Sequence, residues 1–361
     1  MKKHRFRNML ILFLLLLAGG GAVRFWFYIE DQVQPILVPV NQAYAGYSNL
    51  PKKVLGLRIE PFLFKGWDGG DVQAVIVSKE GEESSRQLTV MSDLAANPAE
   101  KLGAIDYVLL CVDWDHGIRS ALPLAETLTA AGLRCVLWDP RGVNDRRPYC
   151  THGLKESRDV PLLLDELERR EGKQKHSIVA VGQGYGAALM LHAAAHDSRI
   201  LALAAIDAYA SLRQSVKRTL PQSPFAPVIL EMMNVRMDKT VGMECFDVAP
   251  VEQASSIDRN VPVLIVHLAQ DNPVCTLGDA LTIYRRLKSD NREVWAMFRD
   301  NSPESLTERQ KEALADVKRL FDEESAMTSL VHWLDGPVVA AIQAPRIADP
   351  ARPIPSPDLQ L

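Results

Sequence analysis

The sequence predicts an α/β fold: a mostly parallel central sheet with helices on both faces and antiparallel strands at its N-terminal edge. Three observations carry this. Short continuous apolar runs recur at 107–112, 133–138, 177–181, 200–206 and 261–267, as strands covered on both faces require. Segments of helical spacing alternate with them. Ahead of them stand two strands joined by the turn Trp67-Asp68-Gly69-Gly70-Asp71.

Composition leaves this class open and closes others. The 361 residues are 47% hydrophobic and 24% charged, with a formal net charge of −4. That is enough chain for one large core, and it gives no basic field for nucleic acid. No repeat of solenoid or propeller length is present. No cysteine pair has zinc-site spacing, and no cofactor is expected. Of the five cysteines, Cys111 and Cys135 lie in apolar runs and read as buried. Cys150, Cys245 and Cys275 fall in loops, where a disulfide is open.

The N-terminus departs from the rest. Lys2, Lys3, Arg5 and Arg7 precede an apolar run from Met9 to Leu17, then small residues to Val23. A basic stretch before an apolar one implies export. Two outcomes are open for residues 1–29. The segment stays as a membrane anchor, with Phe25 to Tyr28 extending it and the body outside the cytoplasm. Alternatively it is cut near Gly20-Gly21-Ala22, leaving a secreted or periplasmic protein. Residues 30–53, with Pro35, Pro39 and Pro51, read as a linker.

From residue 54 the elements follow in order. Val54–Glu60 and Val72–Ser78 are edge strands, and 86–91 is a third candidate. After the 107–112 strand come a helix over 118–131, the 133–138 strand, a loop from Asp139 to Gly153 and a helix over 154–171. The helix places Val160, Leu163, Leu164 and Leu167 on one side. The 177–181 strand turns sharply through Gly182-Gln183-Gly184-Tyr185-Gly186 into a helix to Ala195. After the 200–206 strand, residues 208–260 break the alternation with four prolines and one candidate helix at 228–234. A segment this long is an excursion or lid. A strand to His267, a helix over 277–287, a strand over 292–298 and a closing helix over 304–322 complete the domain. Residues 323–361 form an extension, with a short helix over 327–334. Its tail from Gly336 holds six prolines in 26 residues and reads as extended or disordered.

Four motifs stand at strand ends in this frame: Asp139-Pro140-Arg141-Gly142; Gly153, Glu156 and Asp159; Gly182-x-Gly184-x-Gly186; and His267-Leu268-Ala269-Gln270-Asp271-Asn272-Pro273-Val274. In order and spacing they resemble the α/β-hydrolase superfamily, on its serine-peptidase and esterase side, over residues 54–322. The third resembles the nucleophile elbow G-x-S-x-G, which lifts a serine to the top of the sheet. Its central position here is Gly184. The fourth resembles H-G-x-x-D-x-x-V, with Leu268 in the glycine position, and the resemblance implies Asp271 as the triad acid. It also implies a histidine in the loop after the last strand, and Phe298 to Glu304 contains none. His332 is the next one downstream. His116-Gly117, after the first parallel strand, and Gln183 and Tyr185, flanking the elbow, are the candidates for oxyanion or pocket contacts.

Acyl transfer by this scheme needs a nucleophile, an oriented base and oxyanion donors. Glycine at 184 keeps the turn and removes the attacking atom. The expectation is a degenerate enzyme that binds a small molecule or peptide, attached to a membrane through its N-terminal segment. One alternative is an active hydrolase of ester or peptide bonds that uses another nucleophile, with Cys150, His152, Cys275 and Ser302 as candidates. The other is an anchored scaffold that binds a partner protein. The aspartates and histidine at 113, 115 and 116 read as a solvated loop ahead of a metal site.

Overall fold

In the computed structural model the described residues are 2–38, 53–54, 56–80, 104–111, 118–138, 140, 149–172, 176–269, 272–298, 319–321, 330–331 and 333–338. Among them a 10-stranded sheet runs in the order β1-β2-β3-β5-β4-β6-β7-β8-β9-β10. The strands are β1 (Lys53–Val54), β2 (Leu57–Lys65), β3 (Asp71–Lys79), β4 (Tyr107–Cys111), β5 (Cys135–Trp138), β6 (Ile178–Gln183), β7 (Ile200–Ile206), β8 (Val263–Ala269), β9 (Arg292–Phe298) and β10 (Arg319–Phe321). β1, β2 and β3 pair antiparallel, and β3 meets β5 antiparallel. Every pairing from β5 through to β10 is parallel. The expected class and the antiparallel edge are both present.

Helices cover both faces. α2 (Ile118–Ala130) lies on one, with Leu330, Trp333, Leu334 and Val338 of the C-terminal segment buried beside it. α3 (Asp159–Glu171), α4 (Tyr185–His196), α7 (Pro250–Ala254) and α8 (Leu277–Arg286) lie on the other. β4 alternates its side chains between the two cores. Val108 and Leu110 point to the α2 side, Tyr107 and Leu109 to the α4 side, as the period of a strand dictates.

The excursion carries three helices, α5 (Leu212–Thr219), α6 (Ala226–Val241) and α7, where one was expected over 228–234; the first two reach the N-terminal helix. They build a third core with α1 (Lys2–Leu37). Ile29, Val33 and Leu37 recur one turn apart and are buried against α6 residues that include Met233 and Met237. Arg236 of α6 donates from Nε and Nη2 to the two carboxylate oxygens of Glu30, at 2.6 and 2.9 Å. That pair lowers the Glu30 pKa.

Three expectations are corrected here. The linker over 30–53 gives way to helix for its first eight residues, because Ile29, Val33 and Leu37 supply one apolar face and Pro35 lies on the exposed side. The closing helix does not reach 322, since residues 319–321 pair with Trp295–Met297 of β9 as β10. The tail is not extended at its start: a π-helical turn covers Leu334–Val338, and Val338 is fully buried. Among the described residues no helix is long and apolar enough to cross a membrane, so the fold gives the anchor no support. The strand expected at 86–91 lies outside the described residues.

Candidate functional site

The site is built from the C-terminal ends of three neighbouring strands. β6 and β7 end in register, with Gln183 opposite Ile206, and Ile206 stands opposite Val266 of β8, which runs on to Ala269. The residues that follow, Gly184, Asp207 and His267, therefore form a row across the sheet top. Strands in a sheet lie about 4.8 Å apart, so the row is short.

Gly184 makes the sharp turn. Its φ is 55° and ψ −118°, a region that L residues enter only under strain. Its N–H donates to the Ile206 carbonyl at 2.8 Å, and its carbonyl accepts from Ala188 N–H as α4 begins. Gly182 is needed for a second reason. A Cβ there would sit 2.5 Å from the Gly186 carbonyl oxygen and 2.6 Å from Ala187 Cα. Strand and helix thus approach closer than any side chain allows. The turn has the sharp strand-to-helix backbone that the resemblance to an elbow implies, and its central residue has no side chain.

Gln183 is half-buried at the end of β6. Tyr185 opens α4 and is buried, its ring edge-on to His152 with centroids 6.0 Å apart. Its hydroxyl interacts with the Cys150 thiol, and burial raises both pKa values well above their usual range. Cys150 is thus held as a neutral thiol, which disfavours it as a nucleophile. His152 does not pair with it through the ring. Its Nδ1 lies 3.3 Å from the Tyr209 hydroxyl and its Nε2 3.1 Å from the Ile36 carbonyl. Burial pushes the His152 pKa down to about 3, so the ring is neutral at physiological pH. Cys275 is buried as well, and all five cysteines are free thiols, with no bridge among Cys150, Cys245 and Cys275.

Asp271, His116, Gly117, Asp113, Asp115, Ser302 and His332 lie outside the described residues, as do Asp139, Arg141 and Gly142. Gly153, Glu156 and Asp159 are described, and each has a role. Gly153 takes φ 105°, with His192 against the space a Cβ would fill. Glu156 is fully buried and accepts from the N–H groups of Thr151 and Gly153, at 2.6 and 3.0 Å, and from the Thr151 hydroxyl. Burial raises its pKa against those bonds. Asp159 accepts the Trp67 N–H at 2.8 Å, tying α3 to the β2–β3 turn.

Sequence reasoning missed the Asp207–His267 pair. Asp207 ends β7 at φ 50°, outside the range non-glycine residues favour. Its N–H donates to the Val266 carbonyl and its Oδ1 accepts the Leu268 N–H, both at 2.8 Å. The same Oδ1 lies 3.1 Å from His267 Nδ1. A usable signal was in the sequence: a carboxylate directly after the strand beside the elbow, where α/β sheets carry their sites. Among the described residues no group of three or more His, Cys, Asp or Glu is arranged to hold a metal.

The chain has the α/β-hydrolase fold. A Pyrococcus furiosus esterase superposes with TM-score 0.53 at 15% identity, over 82% of this chain and 96% of that one. The 2,6-dihydroxy-pseudo-oxynicotine hydrolase gives 0.51 at 12% identity, over 78% and 69%. The Pyrococcus horikoshii acylaminoacyl peptidase gives 0.50 at 16% identity, over 80% of this chain and 43% of that one. No family model and no curated relative match the sequence.

Proposed function

We propose that this chain uses the α/β-hydrolase fold for binding, with a small molecule or peptide as ligand, and does not run serine-type acyl transfer. One observation supports the reading: a sharp strand-to-helix turn has Gly184 at its centre, the position where the resemblance puts the attacking oxygen. The sequence adds that no histidine occurs between His267 and His332, where the resemblance puts the base. Loss of either group alone costs several orders of magnitude in rate. The test is the purified chain challenged with activated esters and a fluorophosphonate probe. No turnover above background and no labelled serine are expected. Turnover or labelling would overturn the reading.

The basic and apolar N-terminal residues support export, with the body outside the cytoplasm and the first residues directed to the membrane. Cleavage near Gly20-Gly21-Ala22, releasing the body, is the other course.

The Asp207–His267 pair favours a second reading, an active hydrolase that attacks with water. His267 would serve as base, with Asp207 Oδ1 3.1 Å from its Nδ1. Water would give a proton to Nε2 as its oxygen bonds to the acyl carbon, and Nε2 would pass that proton to the leaving group as the ester or peptide bond breaks. His267→Gln and Asp207→Asn separate the two readings. Turnover that both variants abolish, with no probe labelling in the parent chain, establishes the second; turnover that both retain excludes it.

A further inference from the structure

Exposed apolar side chains concentrate on α1 and α6. On α6 and its N-cap, Phe225, Val228 and Val235 share one side, with Phe225 69% and Val235 64% exposed. On α1, Val23, Trp26 and Phe27 are exposed, Phe27 by 62%. Arg236 joins the two sets. It follows Val235 in the chain, its guanidinium stands 5.9 Å from the Trp26 ring centroid, and it holds both oxygens of Glu30. Apolar exposure of this kind marks an interaction surface.

The chemistry of α1 says what covers it. One unbroken helix runs from Lys2 to Leu37. Its start carries Lys2, Lys3, Arg5 and Arg7 and then the apolar run Met9 to Leu17. Cations beside an apolar stretch bind the headgroups and acyl edge of an anionic bilayer. With a rise of 1.5 Å per residue, Trp26 lies about 14 Å along the axis from Leu17. A helix whose start is held in lipid therefore carries Trp26, and the α6 residues packed beside it, to the bilayer surface. Trp and Phe at that level suit the interface. Arg24 and Lys239 are exposed there, and the nearby Glu231 is paired with Arg213 at 2.6 Å.

We infer that the α1–α6 face is a bilayer-contact surface, which seats the excursion on lipid. It rests on the membrane-directed reading of the N-terminal residues. The five native cysteines are buried, so single exposed cysteines take an environment-sensitive fluorophore selectively. Val228→Cys, Val235→Cys and, as a control on α8, Thr282→Cys are labelled in the full chain and mixed with phosphatidylcholine/phosphatidylglycerol vesicles. The chain is expected to float with the vesicles. The probes at 228 and 235 are expected to shift to the blue and brighten several-fold, while the probe at 282 stays unchanged. A chain that floats with unshifted probes at 228 and 235 overturns this surface and leaves the membrane-directed reading standing. A chain that does not float overturns both. Neither outcome bears on ester turnover, which decides the binding reading separately.

Discussion

Gly184 at φ 55° and ψ −118° is strained for any residue with a Cβ, at a cost of about 1–3 kcal/mol. Active elbows bear that cost to present an oxygen, and here the glycine avoids it. Gly184→Ser is expected to lose about 1–2 kcal/mol of stability and to gain no fluorophosphonate labelling, since the sequence has no histidine between His267 and His332. Urea unfolding and gel-based probe detection check the two halves. Gly182→Ala is expected to cost more, about 3 kcal/mol. Its Cβ would meet the backbone of Gly186 and Ala187, which cannot rotate away; the same unfolding assay ranks the two variants. Both glycines were legible, because an apolar run, a G-x-G-x-G turn and a helical period follow one another within residues 177–195. Asp207 was not. A lone aspartate after a strand reads as turn chemistry until the β7–β8 register puts it beside His267.

Elements with both ends marked were read almost to the residue. α8 was expected over 277–287 and runs Leu277–Arg286. Thr276 caps it and Asp279 returns the bond, a capping box visible in the spacing. The sequence did not show that Asp279 also ties down the excursion. It accepts the Ala210 N–H at 3.2 Å and the Arg218 guanidinium at 2.6 Å, and it is 5% exposed. Asp279→Ala is therefore expected to cost about 2–3 kcal/mol, beyond the roughly 1 kcal/mol of a lost cap. A double-mutant cycle with Arg218→Met should return a coupling well above the scatter of distant sites, and additive effects would contradict the tie. Elements formed by tertiary demand were misread. Residues 319–321 carry only Leu320 and Phe321 as apolar signal, too short for a period, and the free edge of β9 decides their state. The apolar face of α1 was present at 29, 33 and 37, but its partner α6 stands about 200 residues away in the chain, and Pro35 drew the boundary too early.

At the scale of the molecule, the buried histidines set a pH response. Burial lowers His152 to about 3 and His192 to about 4. Both are neutral in the fold, whereas the unfolded chain takes up protons below about 6.5. Stability is therefore full above that pH and falls as pH drops from 6.5 towards 4 for His192, and towards 3 for His152. Glu156, raised by burial, works the other way as it gains its proton. His192→Leu should flatten the pH 6.5 to 5 slope by up to about 1.4 kcal/mol per unit, read from urea unfolding at a series of pH values. The larger question is whether α1 is a leader or a part of the body, and the third core answers it by position. Ile29, Val33 and Leu37 are each no more than 1% exposed. At about 1.5–3 kcal/mol apiece their burial is worth roughly 5–9 kcal/mol, comparable with the whole stability of an ordinary domain. The Cys150 N–H bond to the Leu37 carbonyl and the Glu30–Arg236 pair are lost with them. Removal of residues 1–20 touches none of these contacts. Removal of residues 1–38 takes them all and bares Ile229, Leu230, Met233 and Met237. The first truncation is expected to keep its melting temperature within a few degrees. The second should melt about 10 °C lower or more and bind a hydrophobic dye while still cold. Equal melting of the two would show that α1 contributes nothing to the body.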